Sequence, residues 1–416
     1  MGEDARAPRF DDAFWDGIAG ECWGKKPFHI PNAFPEPFMR SDELLEALRN
    51  LATRARAVPG NAKKELYYFA EDYTPQQPMV GTDVFPRPDE ATLVDYFKRL
   101  QQQHGNCCIA GFDIYTYLPA LWDRICSFVR PLVRRVGQPG FRSESILFVG
   151  EYAFTSTGIH KDSAHVTTFV LEGTKIFHLW PDDYQFKRKE LDRDSHRWAR
   201  DFKAHLDGAI TFVAHAGDLL YWPLTYWHVV ESPVYSNSLT FLWKEYDDVA
   251  PKDVSVAKWL AEVIAMRARD QAPVATAANP VDAALERFCA VQEQPDFSDT
   301  VWRRWLERTT RLSFDLAFAF PDAASIELPT GKLVANDCIE LEWSRLTSGR
   351  LLCAASGESF EVADSPGLAT VMNRLVSSEP WTVAELEGLS DMPRGDLHAL
   401  IRQCMRVRAV IAAQKV

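Results

Sequence analysis

The sequence predicts an α+β fold, with an antiparallel barrel or jelly roll at its centre, helices before it, a helical connector after it and a small C-terminal domain. Three observations predict this. Short apolar strands punctuated by Gly, Pro and Asp fill residues 146–243, without the strand–helix alternation of a parallel sheet. Residues up to about 145, and again from 251 to about 320, carry helical periodicity instead. The remaining stretch, 321–416, combines a hairpin pattern with helix signals.

Taken in order, Asp11-Asp12-Ala13-Phe14-Trp15 leads into a short helix, and Lys25-Lys26-Pro27-Phe28-His29-Ile30 reads as a first strand. Residues 118–136 place Leu121, Ile125, Phe128, Val129, Leu132 and Val133 on one helical face, which should pack against a sheet. Pro119 fits the first turn of that helix, where a missing N–H is harmless. Strands are predicted at 146–152, 165–171, 175–180, 209–213, 219–222 and 238–243, with Gly173, Pro181-Asp182 and Gly217-Asp218 as turns. Helices follow at 256–268 and 300–312, around an Ala/Pro-rich break at 272–280. Further on, Ile339-Glu340-Leu341-Glu342-Trp343 alternates, Ser348-Gly349 turns and residues 351–355 return, a hairpin signature. Thr382-Val383-Ala384-Glu385 is a capping-box pattern. Pro393 opens a helix with Leu397, Leu400, Ile401, Cys404 and Met405 on one face, and Val410-Ile411 reads as a wing strand. These last elements suggest a winged-helix-like domain at 321–416.

At 416 residues the chain is long enough for two or three domains. Its 13 Trp, 25 Phe and 12 Tyr mark a folded, core-forming protein. Eight cysteines stand at 22, 107, 108, 126, 289, 338, 353 and 404 without a Cys-x-x-Cys, which argues against a zinc module and suits a reducing, cytoplasmic compartment. The opening MGEDARAPRF lacks a signal pattern, and no apolar run approaches the ~20 residues of a membrane span. Met1-Gly2 begins like an acylation site, but Arg6 stands where Ser or Thr is needed. A net charge of −12 argues against a general nucleic-acid binder and is compatible with a basic peptide or protein partner.

The chemistry concentrates in His160-Lys161-Asp162 and the distant His228. Two imidazoles and one carboxylate form a facial triad, holding one face of an octahedral metal ion and leaving three positions open. Residues two apart on a strand face the same side, so His160 and Asp162 are expected on one strand, with His228 on another strand of the same barrel. Lys175 alternates with Phe177 and Leu179 and should point into the same apolar interior. His165 and His178 read as ordinary sheet residues and His215 as a loop residue, while Glu151 and Tyr152 either face the pocket or are satisfied strand residues. Tyr221, Trp222, Tyr226, Trp227 and Trp243 read as barrel packing.

Residues 146–183, and the run Gly217-Asp218-Leu219-Leu220-Tyr221-Trp222-Pro223-Leu224-Thr225-Tyr226-Trp227-His228, resemble a JmjC-type cupin. This is the catalytic domain of Fe(II)/2-oxoglutarate oxygenases, and the likeness is nearest the protein-hydroxylase branch, with its asparaginyl hydroxylase and ribosomal oxygenases. In that pattern a Thr lies three residues before the first His, here Thr157, and a Lys fifteen after it, here Lys175. An N-terminal stretch with Trp23, Lys25, Lys26 and Pro27, followed by a barrel, a helical segment and a terminal winged helix, is similar to the ribosomal-oxygenase layout. One position departs: Val166 stands where the asparaginyl hydroxylase has an Asn near its cosubstrate.

The resemblance implies a double-stranded β-helix (JmjC/cupin jelly roll) oxygenase domain at 1–250. It also implies a connector at 251–320 whose Trp259, Leu260, Val263 and Ile264 offer a homodimer contact, and a winged-helix-like domain at 321–416. It assigns Fe(II) to His160, Asp162 and His228, with 2-oxoglutarate and O2 on the open positions. Lys175 would compensate the far carboxylate of 2-oxoglutarate and Thr157 would share it, since an unpaired ammonium in an apolar interior is costly. The implied reaction is hydroxylation of a side chain in a protein or peptide. Lysine demethylation, hydroxylation of a nucleotide or small molecule, and a catalytically silent binding module are the alternatives. The helix from Pro393 sets Arg394, Arg402 and Arg406 against Asp396, with Glu379, Glu385, Glu387 and Asp391 around it. That balance favours a peptide-binding role, a leader segment included, or a structural one over DNA reading.

Overall fold

The computed structural model of the protein describes residues 10–34, 36–57, 66–70, 84–155, 157–186, 201–244, 252–269, 280–316 and 320–413. The Ala/Pro-rich break lies outside them apart from Pro280. The chain forms two compact units, one of residues 1–124 with 131–249 and one of residues 125–130 with 250–416. Among the described residues no helix is long and apolar enough to cross a membrane.

The first unit is built on nine strands: β1 (Phe28–Ile30), β2 (Leu66–Ala70), β3 (Cys107–Phe112), β4 (Ser143–Tyr152), β5 (Ala164–Glu172), β6 (Thr174–Pro181), β7 (Ile210–His215), β8 (Leu219–Trp222) and β9 (Tyr226–Lys244). All pairings are antiparallel. One sheet runs β1-β8-β5-β9-β4-β3-β2, and a second is made by β7, β6 and the first part of β9. The long β9 belongs to both: residues 226–231 pair with β6, and residues from 232 onward pair with β4 and β5. Register shifts between Gly150 and Tyr152 and between Val170 and Glu172 mark the bend where it changes sheets. Inward side chains of the two sheets meet in a single core, with Val166, Val170, Leu220 and Leu242 from one and Phe177, Leu179, Ala214 and Val230 from the other.

Two turns show why the sheets close as they do. Gly173 joins β5 directly to β6 at φ 74°, and a Cβ there would run into the carbonyl oxygen of Tyr235, so only glycine fits. At Gly217-Asp218 the buried Asp218 carboxylate gathers three groups. His29 Nε2 lies 2.8 Å away, and the backbone N–H groups of Asn32 and His215 each donate at 2.9 Å. The predicted loop residue His215 is thus the last residue of β7.

Helices α1 (Asp12–Gly17), α2 (Ser41–Ala57), α3 (Leu93–His104) and α4 (Pro119–Val136) complete the order up to the barrel. Thr92 and Asp95 form a capping box for α3. The apolar face foreseen for α4 is buried from Leu121 to Val133, and Pro119 sits in its first turn. The first strand is shorter than predicted because Lys25 and Lys26 both donate to the Cys22 carbonyl, committing those residues to a turn.

In the second unit, helices span Lys252–Arg269, Pro280–Gln292 and Phe297–Thr310. The last of these ends before the predicted 312, where Leu312 and Ser313 adopt φ of 54° and 61°. The hairpin forms as β11 (Glu342–Arg345) and β12 (Leu351–Ala355), and an unforeseen β13 (Glu358–Val362) adds to it after a turn at Ser356-Gly357. Helices Leu368–Leu375, Val383–Leu389 and Arg394–Arg406 follow, the second opened by the Thr382–Glu385 capping box. The predicted wing strand is β14 (Val410–Ala412), but it pairs with β10 (Leu333–Ala335) and not with the hairpin, which precedes the helices.

Candidate metal centre

The motif segment does not form the regular strand that the His-x-Asp spacing suggests. Gly158 has φ 65° and closes a tight turn back to Thr155. Only then does the chain rejoin the second sheet, at one bridge between His160 and His228. His160 N–H donates to the His228 carbonyl at 3.0 Å, and His228 N–H returns the bond at 2.7 Å. Opposed in this way, the two side chains share one side of the sheet. Their ring centroids lie 4.1 Å apart. Asp162 follows two residues on, with Oδ1 3.9 Å from His160 Nε2 and Oδ2 3.6 Å from His228 Nε2. The three residues can offer ligand atoms that all lie within 4.8 Å of one another.

The donor set fits a divalent metal of the nitrogen–oxygen class. His160 Nδ1 stands 2.9 Å from the Gly158 carbonyl oxygen and 3.0 Å from the Thr157 hydroxyl. A carbonyl only accepts, so the ring proton belongs on Nδ1 and Nε2 keeps its lone pair. Burial, with His160 beside it, pushes His228 down to a pKa of about 3, so its imidazole is neutral at physiological pH. A neutral imidazole is the form a metal ligand needs, and the buried His228 is held in it.

The triad opens onto a cavity of about 230 Å³ inside the barrel. Its walls are chiefly apolar, including Phe112, Ile146, Phe148, Val166 and Phe177. Lys175 also lines it and is 1% exposed. The ammonium donates to the Tyr152 hydroxyl at 2.7 Å and lies 5.0 Å from the centre of that ring. No carboxylate pairs with it among the described residues. Burial lowers the Lys175 pKa to about 8 and raises that of Tyr152 well above its ordinary value. Cys108 is buried in the same wall and pushed up to about 11.

The structure therefore brings His160, Asp162, His228, Thr157 and Lys175 to one cavity, although the Thr157 hydroxyl contacts His160 and not Lys175. Of the two readings open for Tyr152 the structure shows the pocket-facing one, while Trp222, expected as packing, and Cys108 also line the cavity. Strand parity was the available signal. Tyr152 lies at even spacing from Ile146 and Phe148 on β4, and Cys108 from Ala110 and Phe112 on β3. His165 and His178 are bonded away from the triad, to Tyr221 and to Thr211 and Glu231.

No protein-family model matches the chain, and no curated protein matches it. Solved structures do. Escherichia coli YcfD, described as a ribosomal oxygenase, is similar at 15% identity with a TM-score of 0.50, covering 96% of this chain and 98% of that one. A second crystal structure of the E. coli protein gives 16% and 0.51 over the same shares. A third, of YcfD in complex with cobalt and 2-oxoglutarate, gives 15% and 0.50, again over 96% and 98%. Two antiparallel sheets sharing one long strand, and a likeness that runs over nearly the whole of both chains, give this protein the JmjC/cupin fold of the ribosomal oxygenases.

Proposed function

We propose that the protein is an Fe(II)/2-oxoglutarate-dependent oxygenase that hydroxylates a side chain in a protein or peptide. The observation that carries this reading is the pairing, in one cavity, of a His-Asp-His ligand set with a buried cation that has no carboxylate partner among the described residues. His160, Asp162 and His228 would hold the iron. Lys175 and Tyr152 would hold the far carboxylate of 2-oxoglutarate, one by charge and both by hydrogen bonding. Iron and 2-oxoglutarate, with O2, supply the oxidising chemistry that inserts one oxygen atom into a substrate C–H bond and releases succinate and carbon dioxide.

The protein's own part is orientation and exclusion of water. Gly158 and Thr157 fix the tautomer and tilt of His160. The apolar wall keeps the cosubstrate's chain dry while the partly exposed Asp162, at 32%, leaves the metal side open to a substrate. The structures of the cobalt- and 2-oxoglutarate-bound neighbour support this assignment of cofactors. The ribosomal-oxygenase likeness also supports a ribosomal or other protein substrate; a cytoplasmic setting and a division at about 250 and 320 into oxygenase domain, connector and winged-helix-like domain belong to the same proposal, the first boundary lying where the two compact units divide. Trp259, Val263 and Ile264, expected to make a homodimer contact, are instead buried, so a homodimer through the connector would use its exposed Met266, Leu285 and Phe288.

The test is succinate production by the iron-loaded protein, wild type against His160→Ala and Asp162→Ala, alongside mass spectrometry of candidate peptides. Gain of one oxygen atom on a peptide is the expected result. Loss of formaldehyde from methyl-lysine peptides would move the reaction to demethylation, and failure to bind iron anaerobically would overturn the enzyme reading.

A further inference from the structure

Five residues of the cavity wall carry hydroxyls: Tyr152, Thr155, Thr157, Ser238 and Thr240. Four are engaged. Tyr152 meets Lys175, Thr157 meets His160, Thr155 accepts from the Val230 backbone N–H at 3.4 Å, and Thr240 bonds the Thr168 hydroxyl at 2.8 Å. The Ser238 hydroxyl has no hydrogen bond to a described residue, and its oxygen is not sealed in the packing as those of Ser145 and Ser365 are. Ser238 stands on β9 opposite Phe148 and Val170, which point into the barrel, so its side chain shares that face. The residue is 2% exposed, and the surface its oxygen keeps is cavity surface.

Register also fixes which end of the cavity Ser238 serves. The inward side chains of β9 continue from it with Thr240 and Leu242. Leu242 pairs with Val166, the partner of Trp222, whose ring centroid lies 5.0 Å from that of His228. Leu242 therefore marks the metal end, and Ser238 stands about 13 Å back along the strand. There the ring of its cross-strand partner Phe148 lies 5.8 Å from the Lys175 ammonium. A carboxylate set against Lys175 offers about four acceptor sites, which one ammonium and one phenol fill only in part. We infer that Ser238 donates its hydroxyl proton to the far carboxylate of bound 2-oxoglutarate, the place that the sequence resemblance gives to Thr157. This rests on the oxygenase reading and adds a residue that selects for 2-oxo acids with an anionic group at the end away from the metal.

The experiment titrates 2-oxoglutarate into the manganese(II)-loaded full chain, wild type against Ser238→Ala, by calorimetry. 2-Oxovalerate, with a methyl group where 2-oxoglutarate has its far carboxylate, is then measured by displacement of 2-oxoglutarate. The inference expects 2-oxoglutarate to bind the variant roughly tenfold more weakly or worse, as loss of one hydrogen bond to a charged group implies, while 2-oxovalerate and manganese(II) stay within about twofold of wild type. The unloaded variant should melt no lower than wild type, because the hydroxyl has no bond to lose in the empty fold. Equal 2-oxoglutarate affinity in the two proteins would overturn the inference alone. So would a matching loss for 2-oxovalerate, which would make Ser238 a shaper of the cavity. A lower melting temperature of the unloaded variant would place the hydroxyl in the fold's own bonding and also overturn it. A wild-type protein that binds manganese(II) but no 2-oxoglutarate would overturn both this inference and the oxygenase reading.

Discussion

Lys175 donates to the Tyr152 hydroxyl across 2.7 Å at the buried side of the barrel cavity, a cation against a neutral phenol. The pair satisfies one of three ammonium protons and none of its charge. Burial without a counter-charge disfavours the protonated amine, which is why its pKa falls from 10.5 to about 8. An arrangement so costly to the empty protein makes sense when a carboxylate completes it.

Replacing Lys175 by Met should therefore separate ligand binding from stability. The lowering from 10.5 to about 8 corresponds to roughly 3 kcal/mol held against the empty fold at neutral pH. Lys175→Met should recover part of that, raising the melting temperature of the unloaded protein, while 2-oxoglutarate affinity drops more than about tenfold and metal affinity stays unchanged. Equal losses of metal and 2-oxoglutarate in calorimetry would remove Lys175 from the cosubstrate site.

The same pKa sets a pH dependence whose sign can be fixed. In the unfolded chain Lys175 holds its proton to about 10.5, in the folded one only to about 8. Between these values the unfolded state binds more protons, so the Lys175 contribution to stability rises with pH across that window and is least favourable below 8. The difference in urea stability between wild type and Lys175→Met should shrink from pH 7 to pH 10. Over the same range 2-oxoglutarate affinity should fall in wild type, because the neutral amine offers no charge to the carboxylate.

Much of this site was legible because its chemistry is local in sequence. His160 and Asp162 are two apart, and His228 sits in a long distinctive run. What stayed hidden was conformation and pairing. Gly158 turns the motif out of a regular strand, leaving one bridge where spacing alone suggests a ladder. Tyr152 is inward by the parity of β4, but an aromatic residue on a buried strand is equally consistent with packing until a cation is seen against it. In the second unit, β10 and β14 are three residues each and some seventy residues of chain separate them, so periodicity could show strands but not that they pair. Extended antiparallel pairing is decided by contacts remote in sequence, whereas the α4 stripe, written every three or four residues, was readable in full.

Tyr152→Phe keeps the ring and removes the only hydroxyl that Lys175 meets among the described residues. Loss of one hydrogen bond to the ligand carboxylate, about 1.5–3 kcal/mol, predicts a roughly ten- to hundredfold weaker 2-oxoglutarate affinity by calorimetry with metal binding intact. Without that acceptor the Lys175 ammonium is less satisfied, so the pH at which 2-oxoglutarate binding falls away should move lower than in wild type. An unchanged midpoint would show that the phenol does not act on the cation.

Thr157 poses the sharpest choice between the sequence-based assignment and the geometry. The resemblance gives its hydroxyl to the cosubstrate carboxylate, whereas here it lies 3.0 Å from His160 Nδ1, beside the Gly158 carbonyl at 2.9 Å. Groups that hold the distal nitrogen of a metal-bound imidazole typically change metal affinity by about 10- to 100-fold when removed. The Gly158 carbonyl remains in Thr157→Val, so the lower end of that range applies. If the hydroxyl orients His160, manganese(II) affinity should drop roughly tenfold while 2-oxoglutarate affinity, measured at saturating metal, holds within twofold. The opposite split, with metal affinity intact and 2-oxoglutarate weakened, would return Thr157 to the cosubstrate and mean that its contact with His160 gives way when the cavity fills.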